Sequence, residues 1–183
     1  MKCKEFIKKH SELFLALTKV VVFALALFIS FFVILGIKTM DADYMNPGIK
    51  YHDNVVFSRF GNEYVLRDVV IYEQGGEIYF GRVVGLPNET ITTNANGNVY
   101  QNGHLVYEEN VKYTSKRSME VEITLSENEY FVICDDRSQN FDSRQFGAIS
   151  KDKIKGKVII ILRRYDIWKL NLAYIKLFQI LLK

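Results

Sequence analysis

The residues best placed to do chemistry crowd one stretch, Asp135-Asp136-Arg137-Ser138-Gln139-Asn140-Phe141-Asp142-Ser143-Arg144-Gln145-Phe146-Gly147. Five acids and bases follow an apolar run, Tyr130-Phe131-Val132-Ile133-Cys134, that reads as a buried strand, and Gly147 punctuates the end. A solvated turn is the plain reading of such a loop. An internal cage is the sharper one. The opposite charges Asp142 and Arg144 are interleaved with small polar residues, which suits a charge-assisted bridge. So apolar a strand also has no reason to end at random in open water. Cys134 is the nucleophile needing least activation, but a cysteine buried without a base is inert packing. Ser143 reads as a hydrogen-bonding member of the cage. Asp43 and Asp53 would be the pair for aspartic-type hydrolysis, yet nothing in their spacing joins them, and solvated carboxylates are the ordinary state. His10, His52 and His104 stand singly, which is the usual pattern of structural histidines. No metal- or cofactor-binding pattern is read in the chain.

The pattern Asp-Asp-Arg-x-x-Asn-x-Asp-Ser-Arg-x-x-Gly over Asp135 to Gly147 resembles the last signature box of the type I signal peptidases, membrane-bound serine proteases with a Ser/Lys dyad. Other boxes follow the family order. Met45-Asn46-Pro47 resembles the Met-x-Pro after the nucleophile. Asp53-Asn54-Val55-Val56 resembles the next box. Arg82-Val83-Val84-Gly85-Leu86-Pro87 resembles the strand that carries the general base. The resemblance runs from the apolar N-terminal segment to about Arg163.

The same boxes show what is missing. The resemblance implies a nucleophilic Ser immediately before Met45, where this chain has Tyr44. It implies a general-base Lys immediately before Arg82, where this chain has Gly81. The His of the eukaryotic branch is excluded there as well. Asp43 and Ala42 stand at the family's Gly and small positions before the nucleophile. Cys134 stands at the Gly that heads the last box, and Asn140 at the position where a family Ser often bonds the Lys. His52 stands where the family has Gly. A Ser/Lys protease needs a hydroxyl beside a desolvated, deprotonated amine. Gly81 offers no base, and Tyr44 offers an ordinary phenol near ~10 that stays neutral. Tyr44 therefore reads as an aromatic packed in, or capping, the old cleft. Reinstating Ser at 44 and Lys at 81 is expected to fail, because Cys134 and Asn140 would occupy the space of the Lys.

The elements that must position these residues are legible along the chain. Its 183 residues suffice for one domain with a core. Val20 to Ile37 carries no charge, and as a helix it covers about 27 Å, close to a bilayer core. No small-x-small cleavage site follows it, so it reads as an uncleaved anchor rather than a signal peptide. We expect a cytoplasmic N-terminus over 1–12, a transmembrane helix over 13–37, a β ectodomain over 38–165 and a C-terminal amphipathic helix over 166–183. Lys2, Lys4, Lys8 and Lys9 precede the span, which predicts a cytoplasmic N-terminus and an extracellular remainder. Cys3 and Cys134 fall on opposite sides of the span, so no disulfide is expected.

Strands are expected at 54–60, 64–73, 77–84, 99–101, 104–107, 121–125, 130–134 and 157–162, the last closing the sheet. Gly75-Gly76, Asn96-Gly97 and Asn102-Gly103 mark turns. Regular turns without intervening helices predict an antiparallel β-sandwich or barrel, and the family fold implies the same. Beyond Asp166, Ile167, Leu170, Tyr174, Leu177, Phe178 and Leu181 recur at helical spacing among lysines. The net charge of +3 is concentrated at the two ends, a membrane pattern and not a nucleic-acid footprint.

The reading is a catalytically inactive, membrane-anchored signal-peptidase-like protein, in contact with membrane lipid and with neither nucleic acid nor a small-molecule substrate. The intact residues Met45, Pro47, Asp53, Arg82, Gly85, Pro87, Asp135, Asp142, Ser143, Arg144 and Gly147 build scaffold. By resemblance to degenerate homologues of Gram-positive pilus clusters, its partners are expected to be pilin subunits and a class C pilus sortase, with a chaperone role in presenting the pilins. An active peptidase with a displaced nucleophile and a passive membrane component are the alternatives.

Overall fold

The computed structural model describes residues 2–61, 63–109, 111–112 and 118–163, so the helix expected over 166–183 lies outside the described residues. The chain divides into two compact units, Met1–Gly36 and Ile37–Lys183. The first is a single helix, α1 (Lys2–Ile34), without Pro or Gly to interrupt it. Its segment Ser11–Ile34 is 24 residues long and apolar enough to cross a membrane. At about 1.5 Å per residue it exceeds the ~30 Å of a hydrocarbon core. None of this segment is buried, as suits side chains whose solvent is lipid.

Helix α1 stops at Ile34, three residues before the expected end at Ile37. Leu35–Thr39 forms strand β1 instead, neighbour to β2 (Asn54–Ser58). Beyond β1 the pairing continues: Met40 N–H donates to Asp53 O at 2.9 Å and His52 N–H to Met40 O at 2.9 Å. Long-range pairing overrides the helical continuation that the apolar run suggests.

The second unit contains two antiparallel sheets. The larger has the order β1-β2-β11-β3-β4-β9-β10, where β3 is Val69–Gln74, β4 Glu77–Gly85, β9 Glu129–Ile133, β10 Ile149–Ser150 and β11 Ile154–Leu162. The smaller has the order β7-β6-β5-β8, with β5 Thr90–Thr93, β6 Val99–Gln101, β7 His104–Leu105 and β8 Val121–Thr124. Gly75 and Gly76 join β3 to β4 with φ of 62° and 85°, and Asn102 and Gly103 join β6 to β7 with φ of 48° and 81°. Both are the left-handed two-residue turns that match the twist of a hairpin.

Three strand expectations change. The expected 64–73 strand begins only at Val69, because the Asp68 carboxylate accepts the Val65 N–H at 3.0 Å and closes a turn. Strand β5 was not expected: only four residues long, it buries Ile91 and Thr93 in strict alternation. Strand β11 starts at Ile154 and lies inside the sheet, pairing with both β2 and β3, rather than closing it.

Alternation divides the core. Met40, Tyr44, Met45, Val55, Ile71 and Phe80 pack on one face with Cys134. Val70, Tyr72, Val83, Tyr130, Val132 and Ile149 pack on the other. Ile91 and Val99 of the small sheet, with Leu125 just after β8, pack on Val84, Phe131 and Ile133 of the large one.

Candidate functional site

Tyr44 stands in the turn after β1, where Asn46 N–H donates to Asp43 O at 3.0 Å and Ile49 N–H to Met45 O at 2.8 Å. Its ring is buried, 6% exposed, and its hydroxyl accepts the Phe80 N–H at 3.1 Å. Burial pushes the phenol above its ordinary range. The expected ordinary phenol is thus corrected, and the shift is away from reactivity. Ala42 packs beside it, and Met45 is fully buried.

Gly81 lies in β4 opposite Val70 of β3. A Cβ placed on it would overlap Val132 Cγ1 and stand 3.4 Å from Tyr72 Cε1. Tyr72 donates its hydroxyl to Phe141 O at 3.2 Å, and burial raises its phenol as well. The side chain that a Cβ at 81 would overlap is therefore Val132, with Tyr72 at ordinary contact distance; neither Cys134 nor Asn140 is among its three nearest atoms. Nothing in the local sequence around Tyr72 marks it for this part. The contact follows from strand pairing.

Cys134 directly follows β9 and is fully buried. Its N–H donates to Asp142 Oδ2 at 2.9 Å, and its thiol donates to Phe141 O at 3.7 Å. Burial, reinforced by the Asp142 charge, pushes the thiol well above its ordinary value, the opposite of what a nucleophile needs. Asn140 Oδ1 is buried with no hydrogen-bond partner among the described residues.

The cage around Asp142 is fully formed. Arg144 Nη2 stands 2.6 Å from Asp142 Oδ2, with side-chain exposures of 1% and 0%. Asp142 also caps α2 (Ser143–Phe146), accepting the Arg144 N–H at 2.9 Å. Arg144 donates further to Ser118 Oγ at 2.6 Å and to the carbonyls of Arg137 and Gln139. Ser143 Oγ accepts the Val132 N–H at 3.0 Å, a scaffold contact, and Gly147 ends α2 with φ of 78°.

A second pair joins the boxes. Arg82 grips Asp135 with both arms, Nε to Oδ1 at 2.7 Å and Nη2 to Oδ2 at 2.6 Å. A Cβ at Gly48 would collide with Asp135 Oδ2, so the Met45-Asn46-Pro47 turn must be followed by glycine. Gly85 is close-packed in the same way, against Ile91, and Pro87 lies in the turn that follows. A third buried pair, Arg137 with Glu108 at 2.5 Å, went unread in the sequence. Arg137 also donates to Cys134 O and Gly97 O, bonding the end of β9 to the β5–β6 turn.

Asp43 and Asp53 serve separate backbone contacts, as their spacing suggests. Asp43 Oδ1 accepts the Tyr51 N–H at 3.2 Å, and Asp53 Oδ2 accepts the Lys50 N–H at 3.0 Å. His52 is exposed and stacks on Tyr51 with centroids 3.8 Å apart. Among the described residues no group of three or more His, Cys, Asp and Glu is placed to hold a metal ion.

Beside the Tyr44 cluster lies a pocket of about 350 Å³. Ile37, Phe57, Ile71 and Ile78 supply its apolar lining, and Lys38, Arg59 and Lys155 its charged lining. Strand β9 pairs with β4 only from Arg82 onward, so among the described residues Glu77 to Tyr79 of β4 have no strand partner on that side. Tyr44 takes the Phe80 amide. By the alternation of an antiparallel strand, the Ile78 N–H and C=O point to the same side.

This is an antiparallel β scaffold in which Tyr44 and Cys134 are buried and Gly81 is closed in by Val132. The model of the signal peptidase family, peptidase S26, matches residues 12–163, and the chain belongs to that family. An inactive signal peptidase IA from Staphylococcus aureus (strain COL) is 28% identical over 154 residues, covering 79% of this chain and 87% of that protein. Signal peptidase I S from Bacillus subtilis (strain 168) is 29% identical over 170 residues, covering 85% and 91%. The crystal structure of a signal peptidase I from Enterococcus faecalis V583 aligns with a TM-score of 0.45 at 24% identity, over 54% of this chain and 97% of that one.

Proposed function

We propose that this family member cleaves nothing and instead holds extended peptide segments at the outer membrane–water interface, anchored by α1. One observation carries the reading: Gly81 offers no base, and a Cβ added there would overlap Val132 Cγ1. The buried Tyr44 phenol and Cys134 thiol are both pushed toward the neutral form, so neither replaces the missing hydroxyl–amine couple. A relative named as inactive supports the same reading. The open β4 edge and the adjoining apolar pocket suit strand addition, in which backbone bonds hold the peptide and pockets select its side chains. The lysines preceding α1 favour a cytoplasmic N-terminus and an extracellular β unit.

Within that frame the bound segments are pilin subunits awaiting a class C sortase, and the protein is an accessory factor or chaperone of pilus assembly. That step rests on resemblance to degenerate homologues in pilus gene clusters. Purified full-length protein in detergent should leave preprotein substrates intact, and Tyr44→Phe should not alter that result. Turnover abolished by Cys134→Ser would establish the alternative, a displaced nucleophile. Deleting the gene in its host should reduce polymerised pilin while signal-peptide removal continues. Unchanged pilus ladders would end the assembly role.

A further inference from the structure

The last residues of β11 carry an apolar face that nothing among the described residues covers. Ile159, Ile160 and Leu162 are 48%, 50% and 41% exposed. Register fixes the side of the sheet on which two of them stand. Val158 pairs with Phe57 and Ile161 with Val55, and these belong to or pack on the cluster around Tyr44 and Phe80. Ile160 pairs with Val56, and Leu162 with Asn54. By alternation Ile160 and Leu162 lie on the opposite face, turned from that cluster and from the pocket beside it.

The chain leaves this face from a tethered point. Arg163 Nη2 donates to Gly48 O at 3.3 Å, and its Nε stands 3.8 Å from Asp53 Oδ2. The amphipathic segment 166–183 then follows, outside the described residues. Its lysines, Lys169, Lys176 and Lys183, recur every seven residues, about two helical turns, so a helix would carry them on one side. Ile167, Leu170, Tyr174 and Phe178 would fall on the other.

We propose that residues 166–183 fold back as a helix over β11, with Ile167, Leu170 and Tyr174 on Ile160 and Leu162 and the lysines toward water. The lengths agree. A helix over 166–183 covers about 27 Å, and the strand Ile154–Leu162 about 30 Å. Residues 163–165 make a connection of ordinary length between a strand and a helix. Closure over so short a tether costs little entropy. A bilayer would also accept the stripe, but it would leave Ile160 and Leu162 in water, whereas folding back buries both apolar surfaces at once. A second copy of the chain would have to displace a segment already held at high effective concentration. The inference does not depend on peptide holding, because it concerns the face away from the pocket.

The test uses full-length protein in nanodiscs of phosphatidylcholine and phosphatidylglycerol. Trp168 is the single tryptophan of the chain and borders the stripe, so its emission reports on this segment alone. It should be shielded from aqueous acrylamide and from brominated phosphatidylcholine alike. Quenching by the brominated lipid would put the segment in the bilayer and overturn the inference. Full quenching by acrylamide would show it uncovered and overturn it equally. Ile160→Thr with Leu162→Thr removes the apolar face while keeping strand propensity, and acrylamide quenching should then rise. Unchanged quenching would refute the contact. A photo-crosslinker makes the test independent of how well that variant folds. With p-benzoylphenylalanine in place of Ile160, the crosslink should join a peptide within 167–174 of the same chain. A crosslink to lipid or to a second copy would identify a different occupant and reject the fold-back.

Discussion

Gly81 shows how one residue can close a site from two directions. It carries no side chain that could act as a base, and the place of its missing Cβ is taken by Val132 Cγ1. Gly81→Ala should therefore destabilise the β unit by about 1–3 kcal/mol, the usual size of overpacking, even though alanine is an ordinary strand residue. Val132→Ala should recover part of that loss in the double variant, read by chemical denaturation. Additive losses would show that the two side chains do not compete for one space. By the same contact, Tyr44→Ser with Gly81→Lys should stay inactive while Val132 keeps its size.

The buried acids of the same cluster set the response to alkali. Cys134 and Tyr44 have folded-state values raised above the ordinary 9.0 and 10.0 of a thiol and a phenol. A group of this kind contributes stability that is complete below its unfolded value and is lost as pH rises past it, because only the unfolded chain ionises there. The melting temperature should be level to about pH 8, fall above 9 with Cys134, and fall more steeply above 10 with Tyr44 and Tyr72. Tyr44→Phe should make the slope between pH 9.5 and 11, roughly, shallower. An unchanged slope would mean that the native phenol titrates freely.

At the scale of elements, the loop from Asp135 to Gly147 is held by its own charges. The Asp142 carboxylate accepts from the Cys134 and Arg144 amides and bridges to the Arg144 guanidinium, so it fixes the end of β9 and the start of α2 together. Arg144→Ala leaves that carboxylate buried and unpaired and should cost about 3–5 kcal/mol. Arg144→Lys should recover little, since a single ammonium cannot replace donors that also reach Ser118 and two carbonyls. Denaturation midpoints of the two variants decide the matter, and a midpoint within error of the parent would mean the bridge is not buried in solution. This cage was legible in advance, because Asp142 and Arg144 are two residues apart and local spacing suffices. The Arg137–Glu108 pair was not legible. Its partners are twenty-nine positions apart, and only the packing of the small sheet on the large one brings them together.

At the scale of the whole molecule, α1 is long and apolar enough to span a membrane and buries none of that segment within its own unit. The full chain should stay in the membrane pellet through alkaline carbonate extraction, and release into the supernatant would exclude an integral span. Protease added to intact spheroplasts should digest the β unit and spare the N-terminus. Digestion only after lysis would reverse the orientation. The chain from Lys38, with and without residues 166–183, should separate on anionic liposomes if the C-terminal apolar stripe binds lipid. Equal flotation would remove that role.

Properties carried by neighbours along the chain were settled by sequence. These include the apolar span, the left-handed turns at Gly75-Gly76 and Asn102-Gly103, and the Asp142–Arg144 bridge. Each depends on residue type, periodicity or spacing within a few positions, which a linear reading can measure. Tertiary structure decided what packs against Gly81, where β11 lies, why α1 stops at Ile34, and which residues from distant strands meet around one pocket. Alternation tells which face of a strand is apolar, but it does not say which strand will be the neighbour. The ring over Gly81 and the cations around Phe57 follow from that pairing alone.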